Sequence, residues 1–260
     1  MSQLETVIIE REAGVAIVTM NRPDQLNAFN ADLRRDLREA VEQVNADESI
    51  RVAILTGAGR SFCAGADLTE KVAPDFRVED QLNGEFKPIL MAITEAPKPW
   101  ISAVNGAAAG VGSAFAMVCD LTVMAGDAFL YQAFTAIGLV PDGGATWHLA
   151  RALGRKRAYE MIVSGEKVSA KTCLALGLCN RTVAPEQLLP EAKSWAEELI
   201  GKAPLSLRYA KQSLNEAMEH SVGDTISNEA KLQHICITSD DSKEGVLAFM
   251  QKRAPQWKGG

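Results

Sequence analysis

The chain has 260 residues, 47% hydrophobic and 23% charged, enough to bury the core of one large domain or a domain with an appendage. A net charge of −6 and an isoelectric point near 5.3 exclude the clustered Lys and Arg excess of a nucleic-acid surface, but not a local basic site for the phosphates of a small ligand. The longest apolar stretches, such as residues 107–119, contain glycines and fall well short of the roughly 20 apolar residues of a membrane span, so no membrane partner is expected. The first residues carry an acid, Glu5, rather than a basic leader, and a cytoplasmic protein is expected. Cys63, Cys119, Cys173, Cys179 and Cys236 form no C-x-x-C pair and read as reduced, mostly buried thiols. His148, His220 and His234 lack ligand spacing, so no metal is expected.

Two β-rich runs, residues 7–10 and 15–20, flank the turn signal Glu12-Ala13-Gly14 and predict a hairpin. Asn30 then caps an amphipathic helix whose buried face is Leu33, Leu37, Ala40, Val41 and Val44. A buried strand over 51–56, a helical stretch over 82–94, a strand over 100–104 and a small-residue helix over 110–119 follow. Strands over 121–124 and 129–131 come next, and the remainder is mainly helical. The alternation makes the core α/β, with a boundary expected near residue 185: a core over 1–185 and a helical layer over 186–260 that serves as lid or oligomer contact.

Two glycine-bearing segments follow buried strands, at 57–68 and 105–113, where main-chain amides become available to a ligand oxygen. A dinucleotide fingerprint fails at both, because Phe62 and Phe115 stand where the third glycine belongs. Neither segment carries the Lys-Ser or Lys-Thr of a nucleotide-triphosphate loop. Taken singly, each reads as a device for close strand–helix packing.

Taken together, the motifs resemble the crotonase, or enoyl-CoA hydratase/isomerase, superfamily. Asn21-Arg22-Pro23-Asp24-Gln25-Leu26-Asn27-Ala28 is similar to its N-R-P-x-x-x-N-A/S segment. Ser61-Phe62-Cys63-Ala64-Gly65-Ala66-Asp67-Leu68 is similar to its F-C-A-G-x-D-L loop, and residues 99–120 to its P-x-I-A-A-V-N-G…G-G-G…C-D element. The resemblance implies a crotonase-like spiral of ββα turns with a C-terminal helical region, assembled as a homotrimer or a dimer of trimers. It implies an acyl-CoA substrate, with coenzyme A as part of the substrate and no permanently bound cofactor. It implies that the amides of Ala66 and Val111 form an oxyanion hole for the thioester. Arg22, Ala28, Ala64, Gly65, Asp67, Leu68 and Gly110 would line the CoA and substrate path.

Hydratases of this superfamily use two glutamates, one to activate water and one to supply the α-proton. The matching positions here are Ala114 and Phe134, neither of which transfers a proton. One carboxylate remains nearby, Asp142 in Gly138-Leu139-Val140-Pro141-Asp142-Gly143-Gly144. From the residues alone it is a turn residue capping a helix that starts near Ala145. The block from Ala133-Phe134 through Thr146-Trp147, with the ending Gly245-Val246…Lys252-Arg253, is similar to the isomerase branch that acts in phenylacetate catabolism, in which the matching Asp is an acid/base. On this reading Asp142 is catalytic, Phe134 is a pocket wall, and Phe134, Leu139, Val140 and Trp147 raise the Asp142 pKa.

Three alternatives stay open: a hydratase with atypical acid/base residues, an acyl-CoA thioesterase, and a catalytically silent acyl-CoA-binding crotonase. A dehalogenase-type nucleophilic Asp is disfavoured, because no assisting His precedes residue 97 and no tryptophan stands at 134. Asp67 reads as the cap of a helix after Leu68, Asp120 as a structural hydrogen-bonding residue, and Glu70, Glu85 and Glu95 as solvated surface. Lys252 and Arg253 either reach CoA phosphates or favour a helix C-terminus.

Overall fold

The structure, a computed structural model, describes residues 4–71 and 73–260; the first three residues of the N-terminus read above for a leader lie outside them. Strands β1 (Val7–Glu12) and β2 (Val15–Met20) pair antiparallel across the Ala13-Gly14 turn. Helix α1 (Ala31–Ala46) starts where the Asn30 side chain accepts from the Leu33 amide at 3.0 Å, and its Leu33, Leu37, Ala40, Val41 and Val44 are fully buried. Truncating one such leucine to alanine would cost about 2–5 kcal/mol, so this stripe fixes the helix on the sheet. Lys98 ends the same helix by donating to the carbonyls of Val44 and Asp47, both at 2.7 Å.

Each of the next turns of the chain lays one strand in each of two sheets. These pairs are β3 (Val52–Gly57) with β4 (Ser61–Cys63), β5 (Trp100–Val104) with β6 (Ala107–Ala109), and β7 (Leu121–Ala125) with β8 (Phe129–Tyr131). The helical segments between and after them are α2 (Val78–Gln81), a π turn (Leu82–Phe86), α3 (Lys87–Thr94), α4 (Val111–Val118) and α5 (Ala145–Ser164). Short elements β9 (Lys167–Ser169), α6 (Ala170–Leu176) and β10 (Arg181–Val183) complete the sheets. The wide sheet runs β1-β2-β3-β5-β7-β10 and is parallel beyond β2; the narrow one runs β4-β6-β8-β9 and is parallel up to β8. This is the spiral of ββα turns that the motifs implied. Its central strands are buried on both faces, as a covered parallel sheet requires. Cys63, Cys119, Cys173 and Cys179 are buried within it, and burial pushes the Cys63 thiol up to about 12.

The helical tail divides differently from the expected boundary at 186. Helix α7 (Leu188–Ile200) packs on β3, β5 and β7, and its Leu188, Ala192 and Ala196 belong to the central core. The layer that stands apart begins one helix later, with α8 (Pro204–Ala217), α9 (Val222–Thr238) and α10 (Asp240–Gln251). Helix α8 is tied to the end of α3 by Lys211 Nζ, which donates to the Ile93 carbonyl at 2.7 Å and to Asp120 at 2.9 Å, and by Asn215, which donates to the Thr94 carbonyl. Asp120 also accepts from the Trp100 amide, so its structural reading holds. Arg253 forms a two-pronged pair with Glu244, and Lys252 closes α10 in a left-handed conformation. Among the described residues, no helix is long and apolar enough to cross a membrane.

Candidate functional site

The two glycine-bearing segments meet where β4 and β6 end. Phe29 forms a parallel bridge with Ala66: its N–H donates to the Gly65 carbonyl at 2.8 Å, and its carbonyl accepts from Asp67 at 2.9 Å. A parallel bridge uses the groups on either side of the central residue, so the Ala66 N–H points away from Phe29. Across from it, Gly110 precedes α4 at φ 53°, ψ −132°, a backbone that a side chain would strain. Val111, the first residue of α4, carries one of the amides that a helix start leaves without an internal acceptor. A Cβ built on Gly65, itself at φ +98°, would lie 3.0 Å from the Ala109 carbonyl oxygen and 3.7 Å from Gly110 Cα. The absence of a side chain at 65 therefore lets the peptides that carry Ala66 and Val111 lie side by side.

Asp142 sits against the same helix start. A Cβ on the next residue, Gly143, would meet Ala114 Cβ at 2.8 Å, Val111 Cγ2 at 3.0 Å and Leu90 Cδ1 at 3.5 Å. The Asp142 turn thus rests directly on Val111 and Ala114. The expected capping role is not seen: Ala145 takes the Asp142 main-chain carbonyl at 3.0 Å, while the cap residue of α5, Gly144, uses no side chain. The Asp142 carboxyl turns inward instead, and among the described residues its buried Oδ1 has no hydrogen-bond partner. Desolvation raises its pKa from 3.8 to about 6, against the opposing pull of its own main-chain N–H. The apolar surroundings differ from those expected, because Leu139 and Val140 are exposed; the atoms around the turn come from Val111, Ala114 and Leu90.

The two positions at which the resemblance led glutamates to be expected are filled space. Ala114 is fully buried against Gly143, and Phe134 is buried with Cζ 4.0 Å from where a Gly110 Cβ would sit. Phe134 is thus a wall beside the Val111 peptide.

The residues expected along a nucleotide are partly engaged with one another. Arg22 donates both terminal nitrogens to Asp67 at 3.1 Å and also bonds the Ala28 carbonyl. Asp67 accepts in addition from the Thr69 hydroxyl and amide, which with Arg22 hold its pKa below the usual carboxylate range. Residues 68 and 69 form a turn, so Asp67 braces a turn rather than capping a helix. Ala64 donates to the Leu26 carbonyl, and Leu68 projects outward with 77% of its surface exposed. Asn27, fully buried, donates to the Ala58 and Ser61 carbonyls and accepts from the Arg22 amide, so one side chain staples three stretches of loop.

Glu85 is exposed as expected, whereas Glu70 is mostly covered, and both are engaged rather than free. They flank the buried guanidinium of Arg34, which pairs with Glu70 at 2.8 Å, contacts Glu85, donates to the Phe29 carbonyl at 3.3 Å and lies over the Phe86 ring. The clamp joins α1, the loop after Ala66 and the π turn. A sequence signal existed: positions 34, 37, 41 and 44 share one helical face, so an arginine there had to be buried and paired.

A cavity of about 720 Å³ opens on the Gly143-Gly144 turn, between α3, the start of α5 and the end of α8. Leu82, Phe86, Leu90, Met91 and Trp147 give it an apolar body, and Glu95, Glu216 and Glu219 stand at its margin. His148 also faces it, and burial together with Arg151 lowers its pKa to about 4. Among the described residues, no group of three His, Cys, Asp or Glu side chains could hold a metal ion.

A family model described as enoyl-CoA hydratase/isomerase matches residues 10–260. The chain is 36% identical to the 1,2-epoxyphenylacetyl-CoA isomerase of Escherichia coli, covering 98% of this chain and 99% of that one. It is 34% identical to the crotonyl-CoA hydratase of Syntrophomonas wolfei, covering 96% of each. Its fold superposes with a TM-score of 0.92 on the crystal structure of an enoyl-CoA hydratase from Bacillus anthracis, at 30% identity over 98% of this chain and 100% of the other.

Proposed function

Because the chain belongs to the enoyl-CoA hydratase/isomerase family, we propose that it moves a carbon–carbon double bond along an acyl-CoA thioester, with Asp142 as its single acid/base. The observation that carries this reading is the inward carboxylate of Asp142, desolvated, unpartnered at Oδ1 and raised to about 6. A carboxylate so placed is largely ionised at neutral pH, yet is a far stronger base than an ordinary one.

In the proposed reaction the thioester oxygen of a 3-enoyl-CoA accepts from the N–H groups of Ala66 and Val111. Asp142 takes a proton from Cα, and the electron pair spreads over the thioester and the C3–C4 double bond as a dienolate. The same carboxyl returns the proton at Cγ, giving the 2-enoyl-CoA. Negative charge grows on the thioester oxygen only during this step, so fixed donors aimed there would each lower the barrier by about 3–4 kcal/mol. No water enters the bond changes. Hydration would require a second acid/base, and Ala114 and Phe134 supply none. The acyl group would occupy the cavity beside Gly143. Coenzyme A would enter and leave as part of the substrate, along Ala28, Ala64, Gly65 and Leu68, with Arg22 and Asp67 bracing that path. The apolar side chains exposed on α9 and α10, including Val222, Ile226, Phe249 and Met250, would be covered in a trimer or dimer of trimers.

The test is conversion of 3-enoyl-CoA to 2-enoyl-CoA by the parent and by Asp142→Asn. Loss of about 10²–10⁴ in kcat is expected for a missing acid/base. Undiminished turnover in the variant would refute the role of Asp142, and CoA-thioester binding without turnover in the parent would mark a silent binding protein.

A further inference from the structure

We propose that Ser113 and Gln132 are positioning residues that aim and polarise the Val111 N–H, an inference that rests on the reading of that N–H as a thioester-oxygen donor. The Val111 N–H and the Gly110 carbonyl belong to one planar peptide unit, so whatever holds the oxygen sets the direction of the hydrogen. Gly110 O accepts twice, from the Ser113 hydroxyl at 2.7 Å and from the Ser113 amide at 3.0 Å. Behind Ser113, the Gln132 side-chain amide donates to its Oγ at 2.8 Å. The Gly110 N–H in turn donates to the carbonyl of Tyr131, the neighbour of Gln132, at 3.0 Å. The end of β8 therefore holds this peptide from both sides.

Hydrogen bonds in series polarise one another inside a protein, and each bond accepted by Gly110 O makes the Val111 N–H a stronger donor. A serine hydroxyl bonded three residues back is also an ordinary local motif at a helix start. Such a motif needs no second side chain behind it. Here the second side chain is fully buried, and its Oε1 has no partner among the described residues, a cost to folding that a purely structural cap would avoid. The partner peptide differs: the Gly65 carbonyl takes the Phe29 main-chain N–H, and the one side chain that reaches it among the described residues is the Cys63 thiol at 3.9 Å. One donor is thus aimed by main chain and the other by a side-chain relay that substitution can remove.

The test measures the parent, Ser113→Ala, Gln132→Met and their double variant by steady-state kinetics on 3-enoyl-CoA. It also records the infrared stretch of an isotope-labelled thioester carbonyl in bound butyryl-CoA, which cannot isomerise. Ser113→Ala should lower kcat roughly tenfold, less than the about 10²–10³ of deleting a donor outright, with little change in KM. The bound carbonyl band should move back toward its position in free solution. Gln132→Met should give a smaller loss that vanishes in the Ser113→Ala background, and it supplies the same test should Ser113→Ala not fold. Parental kcat and parental carbonyl frequency in the folded variants would overturn the inference, as would a change confined to KM. A parent that leaves the bound carbonyl unshifted would overturn the oxyanion reading itself, and the inference with it.

Discussion

Replacing Asp142 by Asn should stabilise the protein while disabling it, and the stabilisation should depend on pH in one direction only. The carboxyl is raised from 3.8 to about 6 by desolvation, so folding works against its ionised form. Below about pH 3 it is protonated whether folded or unfolded, and the neutral, equally sized carboxamide should change little. As pH rises through 4 to 6, the unfolded chain ionises first and the parent loses stability relative to the variant. At about 1.36 kcal/mol per pH unit the full difference is about 3 kcal/mol. Asp142 keeps some contact with solvent, so about 1–2 kcal/mol is the working figure. For a chain of this size that is about 3–6 °C in Tm. Thermal unfolding of both proteins from pH 4 to 8.5 measures it. The expected gap is small at pH 4, widens up to about pH 6 and is flat above about pH 7. A gap that is absent at pH 8, or of opposite sign, would mean a partnered or hydrated carboxylate and would refute the argument for its raised pKa.

The kcat/KM of isomerisation should rise with pH through a single inflection near 6, because Asp142 must be ionised and His148, at about 4, is already neutral; a second inflection between pH 5.5 and 8 would contradict a one-base mechanism. Installing glutamates at both vacant positions, Ala114→Glu with Phe134→Glu, should yield no 3-hydroxyacyl-CoA from crotonyl-CoA. The Gly143 turn already fills the space at Ala114, and overpacking there should cost about 1–3 kcal/mol in urea unfolding. Arg34→Met should destabilise by about 1–3 kcal/mol, because the Phe29 carbonyl loses its charged donor and Glu70 and Glu85 are left facing each other. Glu85→Gln, at a half-exposed partner, should cost less; equal losses would argue against a clamp centred on Arg34.

What the sequence reveals tracks the range of the interactions. Helix α1 is legible because Asn30 and the Leu33–Val44 stripe are local periodic signals, and the first hairpin because its turn is. Strands β4 and β6 escape such reading: three residues carry no alternation, and their pairing is fixed only when successive turns of the spiral stack. The pairing of the Gly65 and Gly110 peptides is equally non-local, and only the joint resemblance of several motifs pointed to it. Asp142 shows the limit of local rules. In Pro-Asp-Gly-Gly an aspartate ordinarily caps the next helix, but packing of Gly143 on Ala114 and Val111 turns this carboxyl inward. Charge alone placed Glu70 at the surface and left Glu85 without a partner, since the Arg34 that both engage is buried on another element. The boundary at 186 failed for a related reason: α7 has an apolar face like the helices after it, and only its fit on β3, β5 and β7 makes it core.

The measurement that bears most directly on the central claim is the chromatographic position and mass of the products formed from 3-enoyl-CoA and from 2-enoyl-CoA, the two isomers being separated before their mass is read. An isomerase run by Asp142 alone returns a 2-enoyl-CoA of unchanged mass from the first and adds nothing to the second. An Asp142→Asn variant should form the 2-enoyl-CoA about 10²–10⁴ times more slowly and likewise add nothing to the second. A product heavier by one water, or free coenzyme A released by hydrolysis, would contradict the account.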